Sequence, residues 1–504
     1  MQHLRNWPLF VGLAWFAVSV QARDRSGPLL ELAREEFGQL LPPSAEKLFK
    51  AIANGEVADY GDGDPAEADA WWSEDRVVKA EWIRWLCTDS EASKHAQEHA
   101  GVGIRGAILE GALRLDDASL RFPLVIRESR VLDKMTLVRA RLRRLSLIGS
   151  HIRGLDASGA ELGGIVSLRN GFRSEGEVRL VSAKIGGSLA CIGGEFINPG
   201  GYSLDASGVE VGGSVLLREG FRSEGEVQLI SAKIGGNLEC TAGVFINPDG
   251  DSINADQVRV DGSVFLRHFQ SEGRIDLTDG TVGSWFEFRS VKNPRQVVLD
   301  LESAHVGTLF DEARSWPPII LLDGFTYDHL SRRSPLTSDE RLDWLTRADT
   351  PFTPQPYEQL ARMLTAMGHE AEARTILIAK EKARLQVSSP LTRWARRVLL
   401  GWTIAYGHRP WQVLFCVIPI VVCGWFRFRH GRRQGWFIDT SEDLPEFDAF
   451  MYSVDTFFPI TNFGQANGRV IKHRGLQVYL WIHTVAGWVL TSLLVAGLAG
   501  LVKG

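Results

Sequence analysis

Residues 155–298 repeat themselves at a fixed period, and this repeat constrains the fold more than any other feature of the 504-residue chain. The heptapeptide at residues 172–178 returns unchanged at residues 221–227, a step of 49 residues. Three related tripeptides mark the same step: Leu155-Asp156-Ala157, Leu204-Asp205-Ala206 and, more loosely, Ile253-Asn254-Ala255. Such a period indicates an array of structural units that stack on one another.

Each 49-residue unit contains a weaker half-repeat and therefore divides into two coils of 23 and 26 residues. Period-2 alternation bounded by glycine pairs predicts short strands joined by tight corners, and no stretch inside the unit keeps a 3.6-residue period for the length of a helix. A coil of short strands that returns to its start one strand spacing higher is a parallel β-helix. We therefore predict a mainly β fold, a parallel, right-handed β-helix of about nine coils over residues 99–330.

Stacking turns equivalent positions of successive coils into columns. Two apolar columns are predicted to point inward: Leu162, Ile185, Val211, Ile234 and Val260, and Leu155, Val178, Leu204, Val227 and Ile253. Glycine fills a corner column, as a turn that needs positive φ would demand: Gly164, Gly187, Gly213, Gly236 and Gly262. One outward column alternates in charge before a final arginine, which avoids like charges on neighbouring strands: Glu161, Lys184, Glu210, Lys233 and Arg259.

These residues resemble a family of bacterial membrane-associated β-helix repeat proteins with pentapeptide-like coils and a two-helix membrane tail. The resemblance lies in runs such as Gly-Glu-Val-Arg-Leu followed by Ala-Lys-Ile-Gly-Gly-Ser-Leu, here within residues 176–189. It covers the chain from about residue 77 to the C-terminus, and it is specific to the architecture. Some members of that family carry an oxidoreductase label, which no motif of this sequence supports.

The two ends of the β-helix are predicted to be flanked by helices. Residues 23–98 form a helical N-terminal cap, with helical apolar spacing at residues 28–40, 44–54 and 75–89, the last with Val78 and Trp82 on one face. Residues 331–390 form an αα-hairpin that resembles one tetratricopeptide unit. Caps of this kind cover the open edge of a stacked array.

The first 22 residues have the pattern of a secretory signal peptide. Basic His3 and Arg5 precede an apolar run, and small residues stand at the positions before a cleavage site after Ala22. An uncleaved anchor and a buried amphipathic helix of a cytosolic protein are the alternatives. A net charge of −5 argues against a nucleic-acid partner.

Residues 391–504 are predicted to be a membrane domain with two spans, near residues 408–427 and 478–502, so that the lipid bilayer is a partner. The connecting loop is the most basic segment near the spans: Arg427, Arg429, Arg432, Arg433, Arg469, Lys472 and Arg474. Basic loops stay in the cytoplasm. We therefore expect a multi-pass protein of the inner membrane with a periplasmic or extracellular β-helix; a cytoplasmic β-helix is the alternative.

The loop between the spans contains the candidate functional segment, residues 447–465. Six apolar residues share one face at helical spacing: Phe447, Phe450, Met451, Val454, Phe457 and Phe458. Polar Thr461, Asn462 and Gln465 follow in an irregular stretch. This layout suits either a re-entrant pore segment, which requires a homo-oligomer, or an amphipathic helix that lies on the bilayer surface. His483, inside the second span, is a further candidate.

The sequence contains no nucleotide-binding, serine-hydrolase or zinc-protease motif, so no catalytic residue, cofactor or metal site is predicted. A polar ladder beside an inward column is interpreted as a stacking feature: Asp156, Arg179, Asp205, Gln228 and Asn254. The expected function is therefore a membrane-anchored scaffold for an unknown protein partner or for the cell envelope. The alternative is a subunit of an oligomeric ion channel or transporter that uses residues 447–465.

Overall fold

The computed structural model describes residues 26–62, 73–347, 352–386, 410–440, 444–458 and 460–498. The chain forms a parallel β-solenoid of about 10 turns with helices before it and two apolar helices near its C-terminus. The predicted fold class is therefore confirmed, with about one turn more than expected. The predicted signal peptide, four basic residues before the first span and one after the second lie outside the described residues: Arg393, Arg396, Arg397, Arg409 and Lys503.

The described helices are α1 (Ser26–Phe37), α2 (Pro43–Asn54), α3 (Ala80–Thr88), α4 (Ser338–Thr346), α5 (Gln355–Ala366), α6 (Glu370–Gln386), α7 (Leu414–Arg433), α8 (Ala449–Phe457) and α9 (Arg474–Leu498). The strands up to residue 228 are β1 (Ala58–Asp59), β2 (Val77–Lys79), β3 (Val102–Arg105), β4 (Ile108–Glu110), β5 (Leu124–Arg127), β6 (Arg130–Val131), β7 (Met135–Thr136), β8 (Arg141–Leu142), β9 (Leu145–Ser146), β10 (His151–Ile152), β11 (Leu155–Asp156), β12 (Glu161–Leu162), β13 (Val166–Ser167), β14 (Arg173–Glu175), β15 (Val178–Arg179), β16 (Lys184–Ile185), β17 (Leu189–Ala190), β18 (Glu195–Asp205), β19 (Glu210–Val211), β20 (Val215–Leu216) and β21 (Arg222–Gln228). The later strands are β22 (Lys233–Ile234), β23 (Leu238–Glu239), β24 (Val244–Asn254), β25 (Arg259–Val260), β26 (Val264–Arg267), β27 (Gln270–Asp276), β28 (Thr281–Arg289), β29 (Val297–Asp300), β30 (His305–Asp311), β31 (Ile319–Leu321), β32 (Thr326–Leu330), β33 (Phe437–Asp439) and β34 (Arg469–Ile471).

One turn of the solenoid contains four short strands, of which β12 to β15 are an example. Strands β12 and β13 belong to one parallel sheet, and β14 and β15 belong to the other. The corners between the sheets use residues with positive φ, such as Ser182 (φ 53°) in one corner and Asn170 (φ 52°) with Gly171 (φ 84°) in the other. The chain then returns one strand spacing away, where β16 pairs with β12 in parallel.

The inward columns have the predicted register. Leu162 pairs with Ile185 and Ile185 with Val211, while Leu155 pairs with Val178 and Val178 with Leu204. All ten residues predicted to point inward are buried. The charged column pairs in the same register, Glu161 with Lys184 and Lys184 with Glu210, and its side chains are exposed.

Seven buried serines, which were not predicted, also lie in the interior: Ser129, Ser150, Ser174, Ser203, Ser223, Ser252 and Ser271. They do not form one column, since Ser174 is in register with Phe196 and Ser271 with Phe245. The hydroxyls of Ser203 and Ser223 lie 2.7 Å apart, and that of Ser223 donates to the carbonyl oxygen of Gly225 (2.9 Å). Beside these serines, phenylalanine rings stack at centroid distances of 5.2 Å, Phe172 on Phe196 and Phe196 on Phe221. The interior is therefore apolar with scattered serine hydroxyls, and pairs such as Ser203 and Ser223 satisfy each other.

The corner glycines are present for a different reason from the one predicted. None of the glycine column from Gly164 to Gly262 has positive φ. Instead, a Cβ on Gly187 would lie 2.8 Å from the carbonyl carbon of Gly164 in the preceding turn. The backbones of successive turns touch at this corner, so that glycine is selected by close approach. The positive-φ corners are filled mainly by polar residues such as Asp117 and Ser231.

The N-terminal segment is not entirely helical, which corrects the prediction for residues 23–98. Val78 lies in β2, which pairs with β4, and β1 pairs with β3. The edge of the first turn offers unpaired backbone groups, and pairing with them outweighs the helical spacing of the sequence around Val78. Helices α1 to α3 pack outside these strands around an aromatic cluster of Phe37, Phe49, Trp82 and Trp85.

At the other end, α4, α5 and α6 follow the last strands. Gln359 of α5 donates to the carbonyl oxygen of Tyr327 in β32 (2.6 Å). Arg341 of α4 is fully buried and makes two 2.8 Å hydrogen bonds to the carboxylate of Asp311, between the rings of Trp316 and Trp344. The αα-hairpin was predicted, whereas α4 and its ion pair were not.

Candidate functional site

Two helices near the C-terminus are long and apolar enough to cross a membrane, over Trp411–Arg433 and Arg474–Ala496. Only 28% and 17% of their most apolar windows are buried inside the protein. Large apolar side chains point outward instead, for example Phe415 (67% exposed) and Trp481 (64% exposed). The core helix of a water-soluble domain would bury such side chains, so this distribution favours an apolar surrounding.

Helix α8, the core of the segment singled out in the sequence, packs along both of these helices. The hydroxyl of Ser453 donates to the carbonyl oxygen of Val421 (2.8 Å), near the middle of α7. Phe457, at the end of α8, is fully buried in a cluster with Val417 and Leu490. At the start of α8, Tyr452 contacts Phe428 near the C-terminal end of α7. Helix α8 therefore runs along α7 and α9 from this end towards the other.

Two glycines and one histidine form the contact between α8 and its neighbours. Any side chain at Gly424 would meet Ser453 and His483, and any at Gly487 would meet the backbone of Phe457. Nε2 of His483 lies 3.0 Å from the carbonyl oxygen of Ser453, and its buried Nδ1 has no partner among the described residues. His483 therefore faces the packed interior of the helix group, although it belongs to an apolar helix.

The stretch after α8 folds back and is held by two side chains, Asp455 and Arg469, of which the sequence singled out Arg469 only for its charge. The carboxylate of Asp455 accepts hydrogen bonds from the backbone N–H groups of Phe463 (2.8 Å), Gln465 (3.0 Å) and Ala466 (3.0 Å). The guanidinium of Arg469 donates to both the backbone and the side-chain oxygen of Gln465, each at 2.8 Å. Residues 460–465 thus form an irregular segment that folds back against α8.

The predicted site residues take different places along α8 and the segment after it. Phe457 is buried, Phe447, Val454 and Phe458 are half-buried, and Phe450 and Met451 are exposed, so the predicted common face is divided. Asn462 is exposed, and Thr461 donates to the carbonyl oxygen of Phe458 (3.0 Å). Gln465 is buried and donates to the carbonyl oxygen of Glu446 (3.0 Å).

The polar ladder on the solenoid has a structural use. The carboxylate of Asp156 accepts hydrogen bonds from the backbone N–H (3.1 Å) and hydroxyl (2.7 Å) of Ser158, and Asp205 does the same for Ser207. Asp276 repeats the motif with Thr278. Each of these three aspartates holds the corner that follows its strand. This supports the interpretation of the ladder as a stacking feature.

A groove of about 530 Å³ lies on the first half of the solenoid. Its wall is a column of outward residues in register, Arg130, His151, Arg173 and Glu195, with Arg153 beside it. The sequence signal for this groove, a run of basic residues between 121 and 153, was overlooked because only the total charge was considered.

The remaining chemistry-bearing groups lie inside the protein. Burial raises the pKa of the thiols of Cys87, Cys191 and Cys240, which are protonated and enclosed. Within the described ranges, no three His, Cys, Asp or Glu residues are grouped so that they could hold a metal ion. No protein-family model, curated protein or solved structure matches the chain.

Proposed function

We propose that the protein is a membrane-anchored β-solenoid that acts as a scaffold for a protein or envelope partner. The observation that carries the proposal is the inverted polarity of the C-terminal helices. Ser453 and His483 face the interior of this helix group, whereas Phe415 and Trp481 face outward. A surface of this kind is stable in a bilayer and unfavourable in water. The solenoid before it carries outward columns of polar side chains, which suit a binding surface.

The side of the membrane follows from the basic residues. The end of α7 contains Arg427, Arg432 and Arg433, and α9 starts with Arg474. Phe428 and Leu476 belong to one buried cluster, so these two basic ends lie together. Under the positive-inside rule this end faces the cytoplasm. The solenoid, which precedes the other end of α7 in the chain, would then lie outside.

A cysteine at Gly200 tests this location. Gly200 is exposed within β18 at a φ of 75°, and a Cβ there would have no neighbouring atom within 4 Å. The native Cys87, Cys191 and Cys240 are buried, and Cys416 and Cys423 lie in α7, the first proposed span. We expect Gly200→Cys in intact bacterial cells to react with a membrane-impermeant maleimide. The unsubstituted chain is the control. Labelling that appears only after the cells are lysed would contradict an external solenoid.

The second candidate is a subunit of an oligomeric ion channel or transporter, and the path of α8 favours it. If α7 spans a bilayer, Ser453 at Val421 and Phe457 at Val417 bring α8 to the same depth, as in a re-entrant segment. The N–H groups of Phe463 and Gln465 face Asp455, and across a planar trans peptide the carbonyls of Asn462 and Gly464 point away from it. Carbonyls directed to a common axis are the ligands used in cation filters.

Full-length protein in planar bilayers separates the two candidates. A channel predicts single-channel steps whose conductance changes in Asn462→Ala. Asn467→Ala is the control for the conformation of the loop, because the exposed Asn467 amide donates to Oδ1 of Asn462 (3.3 Å). An equal change in both variants would show that the hydrogen bond between them, and not a pore-lining Asn462, sets the conductance. Silent bilayers that contain verified, inserted protein would exclude the channel and leave the anchored scaffold.

A further inference from the structure

Positive charge is concentrated in one part of a chain that is negative overall. The chain has a net charge of −5. Residues 121–153 nevertheless hold only two acidic residues, Glu128 and Asp133, among nine basic ones: Arg121, Arg127, Arg130, Lys134, Arg139, Arg141, Arg143, Arg144 and Arg153. Of these nine, Arg130 and Arg153 line the groove. With Arg173 they place three arginines against Glu175 and Glu195, so the lining carries a net charge of +1 in a chain that is negative overall.

Two of the arginines that line the groove are not neutralised. Arg139 pairs with Asp117 (2.7 Å) and Arg141 with Glu161 (3.1 Å) outside the groove. In contrast, no described carboxylate lies within ion-pair distance of Arg130 or Arg153. A guanidinium without an acidic partner beside a concave surface offers its donors to a ligand.

The third arginine, Arg173, is fixed in place. Its guanidinium bonds to Glu195 (2.5 Å) and Glu175 (3.2 Å), both of which line the groove. Arg130 and Arg173 lie on strands two layers apart, about 9.6 Å by the strand spacing, with His151 on the strand between them. Gly171 and Gly193 line the same groove without side chains and leave room above the column.

The size of the groove indicates the ligand class. A volume of about 530 Å³ is within the range of small-molecule sites, roughly 300–1,000 Å³. It is larger than a bare phosphate needs, so the anion is one part of a larger molecule. Arginine donors match the oxygens of phosphate in a bidentate geometry.

We propose that this groove binds the phosphate group of a small phosphorylated molecule or of a lipid headgroup, with Arg130 and Arg153 as the principal donors. The proposal rests on the scaffold function, because it names the chemistry that the scaffold surface recognises. Arg173 supplies a third donor whose position Glu175 and Glu195 set.

Calorimetric titration of the full-length protein in neutral detergent tests the proposal. The probes are glycerol 3-phosphate, inorganic pyrophosphate and dihexanoyl phosphatidic acid below its micelle concentration. We expect binding that weakens as salt is added and that falls about tenfold or more in Arg130→Gln/Arg153→Gln. The matched control is Arg139→Gln/Arg141→Gln, which removes two basic residues of the same turns outside the groove and should bind as wild type.

The outcomes separate the sources and the hypotheses. Tighter binding of the phosphatidic acid assigns the ligand to a lipid, and equal affinity for glycerol 3-phosphate assigns it to a soluble ester. If no probe binds, the proposal that the groove binds phosphate is wrong. It is also wrong if both double variants keep native melting curves and lose the same amount of affinity. The titration depends on neither membrane side nor partner, so labelling of Gly200→Cys from the wrong side would overturn the scaffold orientation and leave the groove result standing.

Discussion

Adjacent residues of one short strand have opposite roles, as Lys184 and Ile185 of β16 show. Ile185 is 1% exposed in an inward column, whereas Lys184 is exposed. Ile185→Asp places a charge without a partner in the interior and should cost more than about 3 kcal/mol of unfolding free energy. Lys184→Ala should change it by less than about 0.5 kcal/mol. Thermal denaturation followed by circular dichroism measures both, and equal losses would show a register shifted by one residue.

Glycines of one corner differ in the space around them. A Cβ at Gly187 would lie 2.8 Å from backbone atoms of the preceding turn, whereas at Gly163 the nearest atom would lie at 3.7 Å. Gly187→Ala should therefore destabilise the protein by about 1–3 kcal/mol through overpacking. Gly163→Ala should be neutral or stabilising by up to about 1 kcal/mol. Chemical denaturation of both variants checks this, and a harmless Gly187→Ala would refute the close-approach explanation.

Asp300 should make the protein less stable as pH rises. Burial, followed by the nearby charge of Asp276, raises the pKa of Asp300 above its ordinary value of 3.8. A carboxyl with a raised folded-state pKa stabilises the fold below 3.8 and loses that contribution as pH rises through the folded-state value. Asp300→Asn cannot ionise, so its stability relative to wild type should increase from about pH 4 to 7.

Asp117 supplies a control in which the change of stability with pH has the opposite sign. Its ion pair with Arg139 lowers the pKa of Asp117, so its contribution is present above the ordinary value and lost in acid. Asp117→Asn should therefore lose stability relative to wild type as pH rises from about 2 to 4, and stay level from about pH 4 to 7, where Asp300→Asn gains stability. Melting temperatures measured at several pH values record both trends, and parallel curves for the two variants would contradict the assignment.

At the residue scale, the sequence predicted which side chains point inward, but it did not predict why glycine occupies the corner column. The inward columns could be read because alternate residues of a strand face opposite sides, and a repeat reveals which alternate set is apolar. The sequence could not show why position 187 is glycine, because a turn with positive φ and a close approach of two backbones both favour glycine. The buried serines escaped notice because their partners, such as Ser203 and Ser223, lie 20 residues apart and meet only once the turns stack.

At the scale of elements, the buried ion pair of Arg341 and Asp311 attaches α4 to the last turns of the solenoid. Arg341→Met leaves a buried carboxylate unpaired and should cost about 3–5 kcal/mol. Arg341→Met/Asp311→Asn removes the charge while keeping an acceptor for the indole N–H of Trp316. This double variant should recover at least half of the loss. Denaturation of the two variants measures the coupling, and equal stability of both would show that the charge is unimportant.

Helix spacing was a good guide to α5 and α6 and a poor one around Val78. The hairpin has its own apolar face, so local periodicity determines it. In contrast, Val78 lies at an open sheet edge whose backbone groups need hydrogen-bond partners. The spacing of apolar residues along the chain does not show this requirement. The same limit applies to residues 447–465: the spacing identified an amphipathic helix, but the contact of Ser453 with Val421 depends on how α7 packs.

For the molecule as a whole, the covered edge of the first turn should keep the protein from associating end to end. Strand β1 pairs with β3, and β2 pairs with β4, at the N-terminal end of the solenoid. A variant that lacks residues 26–98 exposes the backbone of β3 and β4, and exposed edges pair with other chains. We expect detergent-solubilised variant to form larger species in light scattering, while the intact chain keeps its own size. An unchanged mass would show that α1 to α3 and their strands do not protect the edge.

The identical copies at residues 172–178 and 221–227 also bear on how such a chain changes through generations. In the solenoid a 49-residue unit ends in the register in which it begins, since Leu155 and Leu204 occupy one inward column. A duplicated stretch of gene of that length therefore encodes a segment that can stack on its own parent without any compensating substitution. Gene duplication can therefore lengthen the solenoid in whole 49-residue units. Because the charge alternates along the column from Glu161 to Glu210, an insertion of an even number of turns keeps opposite charges on neighbouring strands.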